Sequence, residues 1–272
     1  MLEKNILVDS KRETKIPVTI IDSEKSNASL VIFAHGFKAE RTEGGRFLEV
    51  ARNLAEIGVN SISMGFCGCD ESKEDFINYT LANCLDDIES CYSYMLENYS
   101  IDSNHLGMIG YSMGGRLTSI FIKKHPEIKT IGLWAGAIYK DFGGDNSSFI
   151  GGDLKTMRKQ ANELGYCDFH NSFDNDDIRI NKALIDEMEL YNPLDGLNCF
   201  TGSAIVCHGD KDDTVVLDTA YLAIDNLINA KNKKLVVVNG ANHGFGLWDN
   251  HMEQSKQLTD ETTKFFKEYL WY

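Results

Sequence analysis

"GYSMGG", residues 110–115, places Ser112 midway between two glycines, at a point where one structural element passes into another. The residues before it, 105–112, have the apolar run of a short strand, and the residues after it have helical spacing. A strand that passes directly into a helix through G-x-S-x-G is the context of a nucleophile elbow, where a strained backbone lifts the serine hydroxyl out of the sheet. In that geometry a side chain at Gly110 or Gly114 would collide with the turn, so both glycines are predicted to be sterically required. A glycine-rich turn without any chemistry has a similar pattern, so the rest of the chain must decide between the two.

Short apolar runs alternate with longer amphipathic ones along most of the chain, which is typical of a mostly parallel central sheet with helices on both faces. The 272 residues, 43% of them apolar, are enough for one large α/β domain. Strands are predicted at 15–22, 29–36, 59–64, 105–112, 130–137, 203–209 and 234–240. Helices are predicted at 44–58, 73–99, 113–125, 218–230 and about 254–270.

This alternation breaks between residues 138 and 200, where the chain is polar, rich in aspartate and irregular. The segment is too long for an ordinary connection, so we interpret it as an inserted cap or lid, with one helix at DIRINKALIDEMEL (177–190). Residues 1–137 and 201–272 would then form a single α/β core around the insertion.

A serine hydroxyl is a weak nucleophile near neutral pH, so the site needs a base within hydrogen-bond reach and a carboxylate that orients this base. Two later segments supply such groups, each just beyond the C-terminal end of a predicted strand. The candidates are Asp210, Asp212 and Asp213 in HGDKDDTVV and His243 in GANHGFG. Functional groups of open α/β sheets collect at that edge, so three segments distant in sequence are predicted to converge there.

With these segments the chain resembles the α/β-hydrolase superfamily over nearly its whole length. VIFAHGF (31–37) is similar to the His-Gly oxyanion loop of that superfamily, and the segments around Ser112, Asp212 and His243 are similar to its elbow, acid loop and histidine loop. Among its branches, the short histidine loop, the long insertion and YNPLDGL ahead of the acid loop look most like bacterial carboxylesterases of the feruloyl (cinnamoyl) esterase type.

The resemblance implies a role for each matching residue. Ser112 would be the nucleophile, and His243 would be the general base and later the general acid. The backbone N–H groups of Phe37 and Met113 would form the oxyanion hole. The implied reaction is hydrolysis of a small carboxylic ester, including hydroxycinnamoyl esters, through an acyl-enzyme.

Two of these assignments keep an alternative. The pattern G-x-x-D-x-x-V of the superfamily, counted from Gly209, places the acid at Asp212, but Asp213 also has a valine three residues later. His251 is the second candidate for the base after His243, because it follows the histidine loop closely.

Substrate contacts and substrate class are predicted less directly. Trp134 lies at the end of its predicted strand, and Tyr139 and Phe142 lie at the start of the insertion, so all three are candidates to line the pocket, with core packing as the alternative. Thioesters and short peptide amides are alternative substrates for the same three catalytic residue types. A hydrolase fold that only binds a partner is an alternative of another class, against which the presence of all three types argues.

The charge of the chain argues against nucleic acid and membrane partners. Its formal net charge is -14 at pH 7, and phosphate backbones and anionic lipid surfaces repel such an excess. The N-terminal residues are charged where a signal peptide would need an apolar stretch, and no apolar run has membrane-spanning length. We therefore expect a cytoplasmic protein whose partner is a small-molecule ester, and the sequence predicts no oligomeric state.

The cysteines argue against a disulfide framework. Seven cysteines at irregular spacing in a chain of this length indicate reduced thiols. Cys67 and Cys69 could supply two ligands of a metal site, but no second Cys/His pair at suitable spacing accompanies them. We therefore predict neither a metal ion nor a cofactor.

Overall fold

The computed structural model of the protein describes residues 1–139, 148–149, 152–171 and 175–271. Its strands are β1 (Leu2–Asp9), β2 (Lys15–Asp22), β3 (Ala28–Ala34), β4 (Val59–Met64), β5 (Ile101–Tyr111), β6 (Ile128–Trp134), β7 (Ser148–Phe149), β8 (Gly152–Asp153), β9 (Tyr166–Asn171), β10 (Asp176–Asn181), β11 (Ser203–Gly209) and β12 (Asn232–Val238). Its helices are α1 (Arg46–Ala55), α2 (Leu81–Asn98), α3 (Met113–Phe121), α4 (Leu154–Leu164), α5 (Lys182–Leu190), α6 (Pro193–Cys199), α7 (Asp218–Asn226) and α8 (Met252–Tyr269).

One eight-stranded sheet forms the centre of the fold, in the order β1-β2-β4-β3-β5-β6-β11-β12. β2 runs antiparallel to both of its neighbours, β1 and β4, whereas the remaining neighbours are parallel. The strands β3, β4 and β11 are buried along their whole length, as expected for parallel strands that helices cover on both faces. The prediction of an α/β fold with a mostly parallel sheet is confirmed.

Helices pack on both faces of this sheet. On one face α1 and α8 lie side by side, and their residues Phe47 and Phe266 are part of one buried cluster. On the other face α2 and α3 contribute Ile88 and Leu117 to a larger cluster. Among the described residues, no helix has both the length and the apolar character that a lipid bilayer crossing requires.

The start of α2 differs from the prediction. The helix was expected from residue 73, but it begins at Leu81, because the Thr80 hydroxyl accepts the Asn83 N–H at 3.1 Å and caps the helix there. The residues before this cap include a 3-10 turn at Phe76–Asn78.

The described part of residues 138–200 contains two small hairpins, β7 with β8 and β9 with β10, and three helices, α4 to α6. Its apolar residues, among them Phe169, Ile180 and Leu184, join the same buried cluster as the face of the sheet that α2 and α3 cover. Its role as a lid, and the division of the chain at residues 137 and 201, remain predictions.

The helix predicted at 177–190 is wrong in its first part. Residues Asp176–Asn181 form the strand β10, and α5 starts only after Asn181, whose side chain accepts the Ala183 N–H at 2.9 Å. Burial alternates along β10 with the two-residue period of a strand. In the sequence this short period is difficult to recognise, because a longer segment with helical spacing follows it directly.

The C-terminal ends of several parallel strands meet at one edge of the sheet. β3 and β5 pair in parallel with Ala34 opposite Gly110, so the residues that follow, including His35 and Ser112, emerge side by side. The acid loop follows β11 and the histidine loop follows β12, and these two strands are also parallel neighbours. This edge therefore brings together the four segments that the sequence singled out.

Candidate active site

Ser112 stands at a sharp turn between β5 and α3. Its backbone has φ 53° and ψ -114°, a conformation that residues other than glycine rarely adopt. A Cβ atom at Gly110 would lie 2.1 Å from the Gly114 carbonyl oxygen, and one at Gly114 would lie 1.9 Å from the Ala34 carbonyl oxygen. Real contacts are never that short, so both positions require glycine, as predicted. The turn presents Ser112 half-buried at the edge of the sheet.

A chain of hydrogen bonds joins Ser112, His243 and Asp212. The Ser112 Oγ lies 3.0 Å from the His243 Nε2, and the His243 Nδ1 lies 2.7 Å from the Asp212 Oδ2. Because a carboxylate can only accept, the Nδ1 carries the proton, which leaves the Nε2 as an acceptor for the serine hydroxyl. This is the order of contacts that the predicted roles of a nucleophile, a base and an orienting acid require.

The alternative residues lie elsewhere. Asp213 is exposed, whereas the Asp212 side chain is buried against His243. His251 is also exposed, and its Nδ1 lies 3.3 Å from a carboxylate oxygen of Glu253. Of the candidates that the sequence left open, the structure brings only Asp212 and His243 to the serine.

Asp212 is held as a carboxylate by several donors. Its Oδ1 accepts the N–H groups of Thr214 and Val215 at 3.0 and 2.8 Å. The buried His208 places its Nε2 3.2 Å from the Asp212 Oδ2 and 2.7 Å from the Val215 carbonyl oxygen, so this nitrogen carries the proton. Burial by itself would raise the pKa of Asp212, but the hydrogen bonds from His208 and His243 outweigh it and lower the pKa to about 2.

The predicted oxyanion loop is oriented by the buried His35. The Phe66 N–H donates to the His35 Nε2 at 3.0 Å, so the Nδ1 carries the proton and donates to the Gly36 carbonyl oxygen at 2.7 Å. Burial lowers the pKa of His35 to about 4, so the ring is neutral near pH 7. The Ala39 N–H donates to the same carbonyl at 3.3 Å. In a trans peptide the N–H points opposite to the carbonyl, so these two bonds also fix the direction of the Phe37 N–H.

Both predicted oxyanion donors lie beside Ser112. A Cβ atom at Gly36 would be 3.4 Å from the Ser112 Cβ, so the peptide that carries the Phe37 N–H passes close to Ser112. Met113 is the first residue of α3, and N–H groups in a first turn have no acceptor within the helix. The positive end of the helix dipole points to the same place and favours negative charge there.

The three predicted substrate contacts have different outcomes. Trp134 is fully buried among core residues, and its indole N–H donates to the Thr262 hydroxyl on α8 at 2.9 Å, so it is a core residue and not a pocket residue. Tyr139 is half-buried near the acid loop, where its hydroxyl lies 3.4 Å from the Val216 backbone nitrogen. Phe142 lies outside the described residues.

Sequence reasoning missed two aromatic residues beside the oxyanion loop. The Phe37 ring meets the rings of Phe76 and Tyr79 edge to face, with centroids 5.2 and 5.3 Å apart. Phe76 and Tyr79 in turn stack on each other. Both precede the cap of α2, in a stretch that the prediction had placed inside a regular helix.

It also missed Glu43 and Arg46, which are buried and contact the loops on either side of Ser112. An acid and a base three residues apart at the start of a helix are usually a solvated pair. The sequence therefore held no signal that separated these two residues from surface charges.

Cys67 takes part in an ion-paired cluster. Its thiol, together with the carboxylates of Glu74 and Asp87, is one set of three groups in the described residues whose ligand atoms lie close enough for a metal ion. Arg12 donates to both carboxylates, so they already have a cationic partner. Burial raises the pKa of the Cys67 thiol, and also that of Cys69, well above the usual range. A thiol that holds its proton is a poor metal ligand.

The sequence profile of the prolyl oligopeptidase family matches residues 73–271, which include Ser112, Asp212 and His243. The chain belongs to the prolyl oligopeptidase family. Membership of this family confirms the prediction of an enzyme, a hydrolase with the α/β-hydrolase fold. None of the curated proteins matches the sequence.

Solved structures similar to this member of the prolyl oligopeptidase family include several esterases. Est1E from Butyrivibrio proteoclasticus with ferulic acid bound is 19% identical, with a TM-score of 0.81 over 98% of this chain and 100% of that chain. The Pyrococcus furiosus esterase Pf2001 is 19% identical, with a TM-score of 0.67 over 99% and 92%. An esterase domain from Rhodothermus marinus is 14% identical, with a TM-score of 0.64 over 98% and 100%. At these identities the likeness shows the fold, and the expected resemblance to the α/β-hydrolase superfamily is confirmed.

Proposed function

We propose that the protein is a serine esterase that hydrolyses small carboxylic esters through an acyl-enzyme on Ser112. The observation that carries this proposal is the continuous hydrogen-bonded chain from the Ser112 Oγ through His243 to Asp212. These three side chains come from loops far apart in the sequence, and a purely structural role gives no reason for them to meet.

The acylation step follows from the proton positions. The Ser112 Oγ attacks the ester carbonyl carbon and forms a C–O bond, while its proton passes to the His243 Nε2. Asp212, ionised because its pKa is about 2, stabilises the imidazolium that results. The N–H groups of Phe37 and Met113 bind the oxyanion of the tetrahedral intermediate. When the intermediate collapses, the bond to the alcohol oxygen breaks, and His243 gives its proton to that oxygen.

Deacylation uses the same groups with water in place of the alcohol. His243 takes a proton from the water as the water oxygen attacks the acyl carbon, and the second tetrahedral intermediate is bound by the same two N–H groups. Its collapse breaks the bond to the Ser112 Oγ, which takes the proton back from His243. The products are the free acid and an unchanged enzyme.

An aromatic acyl group is the preferred substrate feature. The half-buried rings of Phe37 and Phe76 lie beside the proposed oxyanion donor, with the buried Tyr79 packed behind them, and edge-to-face packing against such rings suits a hydroxycinnamoyl group. That Est1E, the structure with a TM-score of 0.81, holds ferulic acid supports the same acyl class. Tyr139 remains a proposed pocket residue on the acid side of the site.

A short peptide amide is the second candidate substrate. The family to which the protein belongs is named for oligopeptidases, and a serine, a histidine and an aspartate in this arrangement can cleave amides as well as esters. A comparison of kcat/KM on methyl ferulate, an acyl-CoA thioester and a peptide anilide separates the candidates. We expect the hydroxycinnamoyl ester to react fastest, and a faster reaction of the anilide would favour the peptidase.

Ser112→Ala tests the proposal directly. We expect it to reduce hydrolysis of p-nitrophenyl esters by roughly 10⁴-fold or more, and to abolish labelling by a fluorophosphonate, because no other group replaces the nucleophile. The matched control is Ser119→Ala, which removes a hydroxyl from the same helix, where it donates to the Gly115 carbonyl oxygen. Circular dichroism checks that both variants fold. Undiminished hydrolysis by Ser112→Ala would contradict the proposal, and a wild-type protein that reacts with neither reagent would favour a binding function.

A further inference from the structure

A buried ion pair lies between the two loops that flank Ser112. Glu43 and Arg46 are only 4% and 3% exposed, and charged side chains are almost never fully buried unless they are paired. Their side chains approach to 3.3 Å. Each of them also contacts a different loop of the site, so the pair forms a bridge across it.

Glu43 reaches the predicted oxyanion loop. Its Oε1 accepts the Gly36 N–H at 2.7 Å, which fixes the peptide group between His35 and Gly36. The hydrogen bonds to the Gly36 carbonyl oxygen fix the next peptide group. Two consecutive peptide planes are therefore held, and the second one carries the Phe37 N–H.

Arg46 reaches the histidine loop. Its Nη1 donates to the Gly244 carbonyl oxygen at 2.9 Å, and its Nε donates to the Glu43 carbonyl oxygen at 2.9 Å. The guanidinium lies 5.0 Å from the centre of the Tyr111 ring, and the Tyr111 hydroxyl donates to the His243 carbonyl oxygen at 2.9 Å. Two consecutive carbonyl groups of the histidine loop, those of His243 and Gly244, thus accept hydrogen bonds from Tyr111 and from Arg46.

We propose that Glu43 and Arg46 are a positioning pair that holds the oxyanion loop and the histidine loop in register around Ser112. Neither residue touches the reacting atoms, so each acts through the backbone that it bonds. The inference rests on the proposed serine hydrolysis, since it assigns the pair a part in the same site.

Stability alone is a poor explanation for these charges. The cost of taking two charges out of water offsets much of their attraction, so a buried ion pair is weak support for a fold. An apolar pair of similar volume would fill the same space, but it would leave the Gly36 N–H and the Gly244 carbonyl without these partners. The two backbone contacts are what the charged side chains add.

Glu43→Ala removes the acceptor of the Gly36 N–H. We expect kcat and the rate of fluorophosphonate labelling to fall roughly 10- to 100-fold, because a displaced oxyanion donor loses interactions that exist only in the transition state. KM should change by no more than about twofold for the same reason. Glu43→Gln keeps a carbonyl oxygen that can accept this N–H, so it should recover most of the loss.

A double variant, Glu43→Gln with Arg46→Met, removes both charges together. Neither partner is left as an unpaired buried charge, so the protein should fold even where Glu43→Ala does not. The Gly244 carbonyl loses its donor, and we expect a decrease in kcat of roughly tenfold. Urea denaturation measures the stability of each variant alongside its rate.

Arg12→Met is the matched control, because Arg12 forms another largely buried ion-paired group, with Glu74 and Asp87. In the described part of the chain, the hydrogen bonds of the Arg12 side chain go to these two carboxylates and not to a loop around Ser112. It should lower stability and leave kcat unchanged. The proposal is overturned if folded Glu43→Ala and the double variant keep wild-type rates, or if Arg12→Met slows labelling as much as they do. Because labelling needs no ester, failure of the wild type on every ester would contradict the esterase function and still leave the pair tested by the labelling rates.

Discussion

The two sides of Ser112 are built in different ways. On the acid–base side the proposed chemistry belongs to side chains, with His243 against the nucleophile and Asp212 behind it. On the oxyanion side the proposed donors are backbone N–H groups, and buried side chains such as His35 and Glu43 only set their direction.

This difference decides which residues a sequence can reveal. A proton relay needs particular side chains, so serine, histidine and aspartate must lie at the site itself. The short motifs around these residues can therefore be recognised in the sequence. A backbone N–H is present in almost any residue, so the requirement moves to the groups that fix the peptide plane. His35 belongs to the His-Gly motif, but Glu43 lies several residues further along the chain and carries no motif of its own.

The largest effect is predicted for a substitution of Asp212, on the acid–base side of Ser112. Asp212→Asn should lower kcat about 10⁴-fold, because an amide favours the wrong tautomer of His243 and does not stabilise its cation. The control is Asp213→Asn, whose exposed side chain should leave the rate within about twofold of wild type. Steady-state kinetics on a p-nitrophenyl ester measure both, and a larger loss in the control would reassign the acid.

A smaller effect is predicted for His208, which contacts Asp212 on the same side of Ser112. His208→Leu removes a donor that helps to keep the pKa of Asp212 at about 2, so we expect a decrease in kcat of roughly tenfold. His208→Gln can place an N–H donor where the Nε2 lies and should lose much less. Equal losses in the two variants would mean that His208 only fills space.

Much of the fold was predictable because its strands and helices have clear periods. The bounds of β4 at 59–64 and β11 at 203–209 match the predicted ones, since glycines mark both ends of each strand. The edge strand β1 was missed, because most of its side chains are exposed and its pairing with β2 holds it in place. A strand that is held mainly by backbone hydrogen bonds shows little apolar alternation in its sequence.

Candidate residues were predictable on both sides of Ser112, but the buried pair that bonds to the surrounding loops was not. Three residues that the elbow, acid and histidine motifs supplied meet in the structure, whereas Glu43 and Arg46 looked like an ordinary charged helix start. Trp134 shows the opposite error, because a large aromatic at a strand end gives no sign of which face of the sheet it packs against.

Trp134→Phe tests whether this residue belongs to neither side of the site. Loss of the indole hydrogen bond to Thr262 and of part of its volume should lower the free energy of unfolding by about 1–3 kcal/mol. KM and kcat for hydroxycinnamoyl esters should stay unchanged. Urea denaturation and kinetics on the same preparation provide the check, and a raised KM with normal stability would return Trp134 to the pocket.

The smallest predicted effect is the pH dependence of stability that comes from Glu43, on the oxyanion side of Ser112. Burial raises the pKa of Glu43 from 4.5 to about 7, so the folded protein binds this proton more tightly than the unfolded chain. Near pH 7 the ion pair with Arg46 therefore coexists with a neutral Glu43, whose carbonyl oxygen can still accept the Gly36 N–H. The stabilisation is therefore complete below about pH 4.5 and is lost as the pH rises through 7. Relative to Glu43→Gln, the wild-type free energy of unfolding should decline over this window and level off above it. A difference that stays constant with pH would contradict the assignment.

The most direct test of the account is a crystal structure of the protein after reaction with a fluorophosphonate. The account predicts a covalent bond between phosphorus and the Ser112 Oγ, with the phosphoryl oxygen about 3 Å from the backbone nitrogens of Phe37 and Met113. His243 should remain hydrogen bonded to Asp212 in that adduct. An adduct on another residue, or a phosphoryl oxygen that points away from both nitrogens, would contradict it.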